Sequence, residues 1–304
     1  MITYYKKSIK DKQMRLIQNP ELGSWINVVS PTKKDIDFLV DEFKLDKDNI
    51  DSGLDPHEIP RADFVNGDSY IYIKVPTDEL ERGTLTFLII ITKKFIITVS
   101  QKEPQFYKNI KGNKAPDIYT TQKTKFLLSL LSFNNELLEQ KTLEIVKSIE
   151  MKKDLSNELR EKDVNEMIKH EYMLNSFVSA YNYTNFMYNK IIHRLGFHEK
   201  DKDIIEELMI DTEEGQNICQ TSLKNISNIR SYSMVLLTSK LNRLITVLTV
   251  LTVFLSVIAA ISSFYGMNID LPLQDDKNAF FYVIFFIILV LMSFILYLKK
   301  KKVI

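Results

Sequence analysis

The chain has 304 residues, of which 26% are charged and 45% are hydrophobic, and its formal net charge is +1. A near-neutral balance gives no reason to expect a nucleic-acid partner. The single cysteine, Cys219, excludes an intramolecular disulfide and a cysteine-rich metal site.

The first part of the chain alternates helix and strand patterns. Residues 31–43 carry apolar side chains at helical spacing, and Ser30-Pro31 supplies a start signal for that helix. Segments rich in β-branched and aromatic residues predict strands at 70–75, 85–92 and 95–99. Lys93-Lys94 separates the last two strands by a length that suits an antiparallel hairpin. We therefore predict an α/β domain over residues 1–121.

Strand signals end near residue 121, and long helices are predicted from there on. No glycine or proline occurs between Asp117 and Leu195, which indicates a helical region over residues 122–199. After a bend at Gly196, a stalk helix is predicted over residues 200–264, where it becomes the first membrane span. At 1.5 Å per residue this helix would extend roughly 95 Å. Gly215 would be its one weak point.

Two uncharged apolar runs lie near the C-terminus, within residues 244–264 and 279–298. Each has roughly the 20 residues that a helix needs to cross a bilayer, so both are predicted transmembrane helices. The loop between them, residues 265–278, carries three aspartates and one lysine and should attract cations. Basic residues precede the first run and fill the tail, residues 299–304. Both chain termini are therefore expected on the cytoplasmic side of the cell (plasma) membrane.

One face of the first predicted span is polar. When the segment is wound as a helix, five side chains fall within an arc of about 80°: Asn242, Thr249, Thr252, Ser256 and Ser263. Two interpretations are open from the residues alone. Small polar residues favour close packing between transmembrane helices, and a polar stripe also suits the lining of a water-filled pore.

The end of the first span reads Tyr265-Gly266-Met267-Asn268. In this position it resembles the signature of the CorA family of magnesium transport proteins. Further similarity lies in Trp25-Ile26-Asn27-Val28, in Ile59-Pro60-Arg61 and in the predicted strand pair over 85–100. The resemblance implies an α+β membrane protein with an N-terminal α/β cytoplasmic domain, a long helical stalk and two C-terminal transmembrane helices. It further implies assembly as a funnel-shaped homopentamer.

The resemblance also implies where an ion passes. In CorA proteins the first span of five subunits surrounds the pore, so the polar face becomes pore lining. Counting back without gaps from the Gly-Met-Asn sequence places Asn242 on a family asparagine at the cytoplasmic end. Ile245 and Leu248 would then form a hydrophobic constriction that closes by dewetting. Val257 stands where some relatives have a proline, a departure that concerns gating.

Ion capture is expected at the outer mouth of the pore. Mg²⁺ gives up water reluctantly, so a capture site suits neutral oxygens that hold the hydrated ion. The resemblance assigns this role to a ring of Asn268 carboxamides. Gly266 would let the backbone turn, and Tyr265 would pack behind the ring. Met267 favours the magnesium branch of the superfamily. The alternative is an ordinary helix end at a glycine, with the asparagine tolerating the turn.

Intracellular magnesium is expected to regulate the protein, because CorA relatives bind it between neighbouring cytoplasmic domains. Glu207, beside Glu206, aligns with a family regulatory position. The partners across the interface are predicted to be Asp78, Glu79 and Glu81. Ser231 stands where some relatives have a further acid, so that contact is expected to be missing. The alternative for the glutamate pair is a solvated helix face.

The predicted activity is influx of divalent cations, chiefly Mg²⁺, with Mg²⁺ as both the transported and the regulatory ion. No organic cofactor is expected. The partners are the other copies of a homopentamer, the lipid bilayer and divalent cations. The protein is not expected to be an enzyme, because its four histidines are scattered and none lies near Cys219. Two rivals remain: a zinc, cobalt or nickel transporter of the same superfamily, and a membrane-anchored sensor.

Overall fold

The computed structural model describes residues 1–77, 83–111, 118–154, 160–267 and 277–300. The chain forms two compact units, Met1–Arg230 and Ser231–Ile304. Its helices are α1 Lys33–Phe43, α2 Lys47–Gly53, α3 Tyr107–Lys111, α4 Lys123–Asp154, α5 Glu161–Arg194, α6 Glu199–Tyr265 and α7 Ala279–Lys300.

The first unit is built on a seven-stranded sheet. Its strands are β1 Ile2–Lys6, β2 Arg15–Ile17, β3 Trp25–Val29, β4 Arg61–Val65, β5 Asp68–Pro76, β6 Thr84–Ile91 and β7 Ile96–Ser100. They lie in the order β2-β1-β3-β7-β6-β5-β4. The central strands β3 and β7 run parallel, with Trp25 opposite Ile96, and the other neighbours run antiparallel. The α/β character predicted for the N-terminal part is thus confirmed.

The three predicted strands are confirmed as β5, β6 and β7, with ends shifted by one or two residues. Lys93-Lys94 does connect an antiparallel pair, in which Ile91 stands opposite Ile96. Strands β1 to β4 escaped prediction. Two of them, β2 and β4, are short and lie at the edges of the sheet. Few of their side chains are buried, so their sequences carry only a weak strand pattern.

Helix α1 begins later than the predicted start at Ser30-Pro31, so that prediction was wrong. Ser30 has a left-handed backbone, with φ of 49°. Thr32 is the N-cap: its side chain accepts from the Asp35 backbone N–H, and the Asp35 carboxylate accepts from the Thr32 backbone N–H at 2.9 Å. This reciprocal capping box is a stronger start signal than a proline, and it sets the first helical residue at Lys33.

Both faces of the sheet are buried. The face toward α1 and α2 holds a core that includes Leu39, Ile50 and Tyr72. The opposite face packs on α4, α5 and the start of α6 in a core that includes Trp25, Phe126 and Ile205. A third core among these helices includes Leu138, Phe177 and Cys219. Residues 1–121 and the helices that follow therefore bury one another within the first unit.

Helix α6 is continuous through Gly215, which was predicted to be its weak point. A Cβ atom at this position would lie 2.5 Å from the Cζ atom of Tyr181. The glycine therefore lets the buried tyrosine ring of α5 approach the α6 backbone. Packing of Tyr181 against this side of α6 offsets the low helix propensity of glycine.

In the second unit, the distal part of α6 and all of α7 are long and apolar enough to cross a membrane. Of their most apolar segments, 0% and 11% respectively are buried within the protein. The core helix of a water-soluble domain would bury such a surface, whereas a membrane helix leaves it to lipid or to other chains.

Candidate ion pathway and cation sites

The membrane-length part of α6 is covered along one side. Its partly covered side chains recur every three or four residues: Thr246, Val250, Phe254, Val257, Ile258 and Ile261. Helix α7 has a similar stripe of covered side chains: Val283, Ile287, Val290, Leu291, Phe294 and Leu298. The matched periodicity indicates that α6 and α7 pack along these two stripes within the second unit.

The five polar side chains predicted to share a face of α6 lie on another side of the helix. All five are exposed: Asn242, Thr249, Thr252, Ser256 and Ser263. At 100° per residue, their mean direction is about 130° away from the stripe that faces α7. Packing within the hairpin therefore does not use them. The pore lining and a contact with another chain remain as the two interpretations.

Three hydroxyl groups of this polar face donate to the backbone of their own helix. Thr249 Oγ1 donates to the Ile245 carbonyl, Thr252 Oγ1 to the Leu248 carbonyl and Ser256 Oγ to the Thr252 carbonyl, each at 2.8 Å. Each hydroxyl has one proton, and the hydrogen bond to the backbone carbonyl uses it. The remaining lone pairs are available as acceptors. The face can thus receive hydrogen bonds from water molecules around a cation.

One residue of this face was missed in the sequence. Thr238 lies in the same angular sector as the five predicted residues, about one turn before Asn242. It is exposed, and its hydroxyl donates to the Met234 carbonyl at 2.9 Å. The signal was available, because spacing of four residues continues the stripe. Thr238 lies six residues before the apolar run that starts at Leu244, in a part of the chain where the sequence gives no membrane signal.

The predicted constriction lies at the end of the span nearer Asn242. Ile245 is 60% exposed and Leu248 is 64% exposed, so neither is used for packing within the second unit. Ile245 falls inside the arc of the polar face, whereas Leu248 falls about 40° beyond its edge. Only Ile245 therefore shares the direction of the polar stripe in a single copy.

The end of α6 at Gly266 closes as an ordinary helix terminus. The Gly266 N–H donates to the carbonyls of Ser262 and Ser263, both at 3.1 Å, and the Met267 N–H donates to the Phe264 carbonyl. The left-handed glycines of the described chain are Gly23, Gly67 and Gly83. Gly266 itself stays outside that region, and a Cβ atom there would meet only carbonyl oxygens at 3.5 and 3.6 Å. Gly266 therefore ends the helix without a left-handed backbone, and its role in the turn toward residue 268 stays a prediction.

Other parts of the predicted filter fall outside the described residues. Asn268 lies in the undescribed segment 268–276, as do the loop aspartates. Nothing is described of the Tyr265 side chain, and Met267 is 48% exposed. The ring of carboxamides consequently stays a prediction.

The predicted regulatory acids are only partly described. Glu206 and Glu207 are exposed on α6. Asp78, Glu79 and Glu81 lie outside the described residues, in the connection flanked by Thr77 and Gly83. Among the residues that are described, no group of three or more histidine, cysteine or acidic side chains is placed to hold a metal ion. A site within one copy is therefore not shown.

Cys219 is fully buried beside Thr142, at 3.7 Å from its Oγ1 atom. Burial raises the pKa of its thiol to about 11, so the group stays protonated at neutral pH. It packs in the core shared by α4, α5 and α6.

The sequence from residue 22 to residue 300 matches a family model described as CorA-like Mg2+ transporter protein. The chain belongs to the CorA family. Members of this family carry divalent cations across membranes, which makes the protein a CorA-family cation transporter with two C-terminal apolar helices. No curated protein matches the chain.

Solved structures share the CorA fold at low sequence identity. The complete structure of the CorA magnesium transporter from Methanocaldococcus jannaschii matches with a TM-score of 0.84 and 18% identity, over 99% of this chain and 98% of that one. The full-length CmaX protein matches with a TM-score of 0.71 and 14% identity, over 96% and 97%. The ZntB cytoplasmic domain from Vibrio parahaemolyticus matches with a TM-score of 0.53 and 10% identity, over 78% and 95%.

Proposed function

We propose that this CorA-family chain forms a homopentameric channel for divalent cations, chiefly Mg²⁺, with α6 of five copies around the pore. The observation that carries the proposal is the exposed polar face of α6. The hydroxyl oxygens of Thr249, Thr252 and Ser256 are turned away from α7 and have their protons bonded to the backbone. A helix that served only as an anchor would have no use for such a face.

The hydrated ion is captured at the outer mouth by Asn268 carboxamides. It then moves along the rows of hydroxyl oxygens contributed by Thr249, Thr252 and Ser256, which bind the water shell rather than the bare ion. Ile245 forms the apolar ring near the cytoplasmic end, with Leu248 beside it. This ring blocks the pathway by dewetting when the helices approach one another.

Direction follows from the membrane potential. With both termini in the cytoplasm of a plasma membrane, an interior-negative potential drives a divalent ion inward by about 4.6 kcal/mol per 100 mV. The acidic loop raises the local concentration of cations at the outer mouth. Intracellular Mg²⁺ closes the channel through Glu206, Glu207 and their acidic partners in neighbouring copies.

Flux into proteoliposomes loaded with a Mg²⁺-sensitive dye tests the proposal. Asn268→Ala should abolish uptake without changing the assembled state of the protein, because the ring that holds the hydrated ion is lost. Gln274→Ala removes a carboxamide from the same loop and is the matched control, which should conduct normally. Normal flux through Asn268→Ala would rule out the assignment of the filter.

The same vesicles distinguish the metals. A zinc, cobalt or nickel transporter of this family would share the fold and the polar face, and Met267 is the residue that favours magnesium. Competition of Co²⁺, Ni²⁺ and Zn²⁺ against Mg²⁺ should leave Mg²⁺ as the main ion carried. Uptake of Zn²⁺ in preference to Mg²⁺ would support the other branch, and absence of any flux would support a sensor.

A further inference from the structure

Four basic residues of the described chain flank the two membrane helices at the ends away from the loop: Lys240, Arg243, Lys299 and Lys300. All four side chains are exposed, and none of them forms an ion pair in the described part of the chain. We refer to these four residues as the basic collar.

The sequence explains why the collar has no acidic partner. No aspartate or glutamate occurs between Glu214 and Asp270, and none occurs after Asp276. Glu214 precedes Lys240 by about 25 residues, whereas helical ion pairs need a spacing of three or four. The loop aspartates belong to the opposite end of the hairpin. The sequence around the collar therefore supplies no acidic partner, and the anionic groups of a membrane are available as counter-charges.

Two membrane crossings return the chain to the side from which it started, so all four cations face the same leaflet. Arg243 directly precedes Leu244, where the first apolar run begins, and Lys299 directly follows Leu298. Side chains at such positions reach the depth of the lipid headgroups, with their apolar stems along the hydrocarbon.

We propose that the basic collar binds the phosphate groups of anionic phospholipids in that leaflet. Arg243 presents a planar guanidinium that can pair with two phosphate oxygens, and the three lysines add point charges around it. The collar is thus a lipid site in addition to a determinant of topology. It does not depend on which ion the protein conducts.

A tryptophan reporter makes the lipid contact measurable. Tyr297 is 58% exposed and lies two positions before Lys299, so Tyr297→Trp places a fluorophore beside the collar. The native tryptophan, Trp25, is 0% exposed in the core of the first unit and gives a constant background. The reporter protein is assembled in phosphatidylcholine nanodiscs that contain brominated phosphatidylglycerol or brominated phosphatidylcholine. Both leaflets have the same composition, so the orientation of the protein has no influence.

Brominated phosphatidylglycerol should quench the reporter several-fold more effectively than brominated phosphatidylcholine. Replacing one collar residue by glutamine should reduce this preference, and glutamine at all four positions should abolish it. Lys277→Gln makes the same charge change at the other end of the hairpin and should leave the preference intact. Lys299→Arg with Lys300→Arg keeps the charge and should also preserve it.

Equal quenching by the two lipids would overturn the proposal, as would a preference that survives glutamine at all four collar positions and at Lys301 and Lys302. An equal loss in Lys277→Gln would show a general charge effect and would overturn it too. Competition with inorganic phosphate distinguishes a lipid headgroup from free phosphate as the ligand. At equal ionic strength, phosphate and chloride should weaken the preference alike. A specific loss in phosphate would identify a site for free phosphate and would refute the lipid assignment.

Discussion

Gly215 of α6 and Tyr181 of α5 are so close that a Cβ atom on the glycine would lie 2.5 Å from the tyrosine Cζ atom. Gly215→Ala should therefore destabilise the first unit, although alanine is the better helix former. Overpacking a core costs about 1–3 kcal/mol, and an approach as close as 2.5 Å belongs to the upper part of this range, above the helix-propensity gain of about 1 kcal/mol. Thermal unfolding should show a lower Tm for this variant.

Gly196→Ala is the matched control for Gly215→Ala. A Cβ atom on Gly196 would meet nothing within 4 Å, and its backbone is not left-handed. The Tm of this variant should stay close to that of the parent. A similar decrease in both variants would show that the close approach of Tyr181 is unimportant.

The polar face of α6 gives a second prediction. Thr252→Val keeps the shape of the side chain but removes the hydroxyl oxygen from every copy around the pore. If the missing oxygens raise the free-energy barrier to passage of the hydrated ion by about 1.4 kcal/mol in total, Mg²⁺ flux should fall about tenfold. Thr252→Ser retains the hydroxyl and should conduct nearly as well as the parent.

Thr246→Val separates pore lining from helix stability. The Thr246 hydroxyl donates to the Asn242 carbonyl at 2.9 Å, much as Thr252 donates to Leu248, but Thr246 lies on the side that faces α7. Its replacement should leave flux unchanged. If Thr246→Val and Thr252→Val reduced flux equally, the hydroxyl groups would matter for packing and the pore model would fail.

Cysteine scanning offers a third prediction. Thr249→Cys, Thr252→Cys and Ser256→Cys should each react with a small water-soluble thiol reagent in the open channel. Purified protein should have the mass of a homopentamer. A monomer or dimer by native mass measurement, or protection of all three cysteines in a conducting channel, would contradict the pentameric pore.

The native cysteine should not disturb this experiment. Cys219 is buried, and its pKa is raised to about 11, so little thiolate exists at pH 8. Its labelling in the folded protein should stay negligible at pH 8 and increase only as the pH approaches 11. Rapid labelling of the parent protein at pH 8 would show that the core of α4, α5 and α6 opens readily.

Regulation by intracellular Mg²⁺ gives the last prediction. If Mg²⁺ bridges the acids between copies, then Glu206→Gln and Glu207→Gln combined with Asp78→Asn should raise the half-inhibiting concentration several-fold, with ion selectivity unchanged. Glu213→Gln with Glu214→Gln changes exposed acids farther along α6 and should leave inhibition as it is. An unaltered inhibition curve in the triple variant would identify Glu206 and Glu207 as a solvated face.

Prediction from sequence succeeded where one local pattern dominates. Apolar runs without charge locate the membrane segments, and spacing alone collects the polar face of α6. Long stretches without glycine or proline locate α4 and α5, because little else interrupts a helix. The capping box at Thr32 was also readable, and it was overlooked in favour of the neighbouring proline.

Other features depend on contacts between distant segments. The direction of the polar face relative to α7 requires knowledge of which stripe of α6 is covered. Gly215 looked like a weak point because its partner, Tyr181, lies on another helix. Spacing along one chain contains none of this information.

The hydroxyl protons that point back to the α6 backbone give the proposed pore a preference for the sign of an ion without any fixed charge. A hydrated cation turns the hydrogens of its water shell outward, and these find acceptor oxygens along the wall. A hydrated anion turns water oxygens outward and finds no free donor among Thr249, Thr252 and Ser256. Added salt screens the attraction of distant charges. It leaves the orientation of these hydroxyl groups unchanged, so the preference of these three rows for a hydrated cation should persist in concentrated salt.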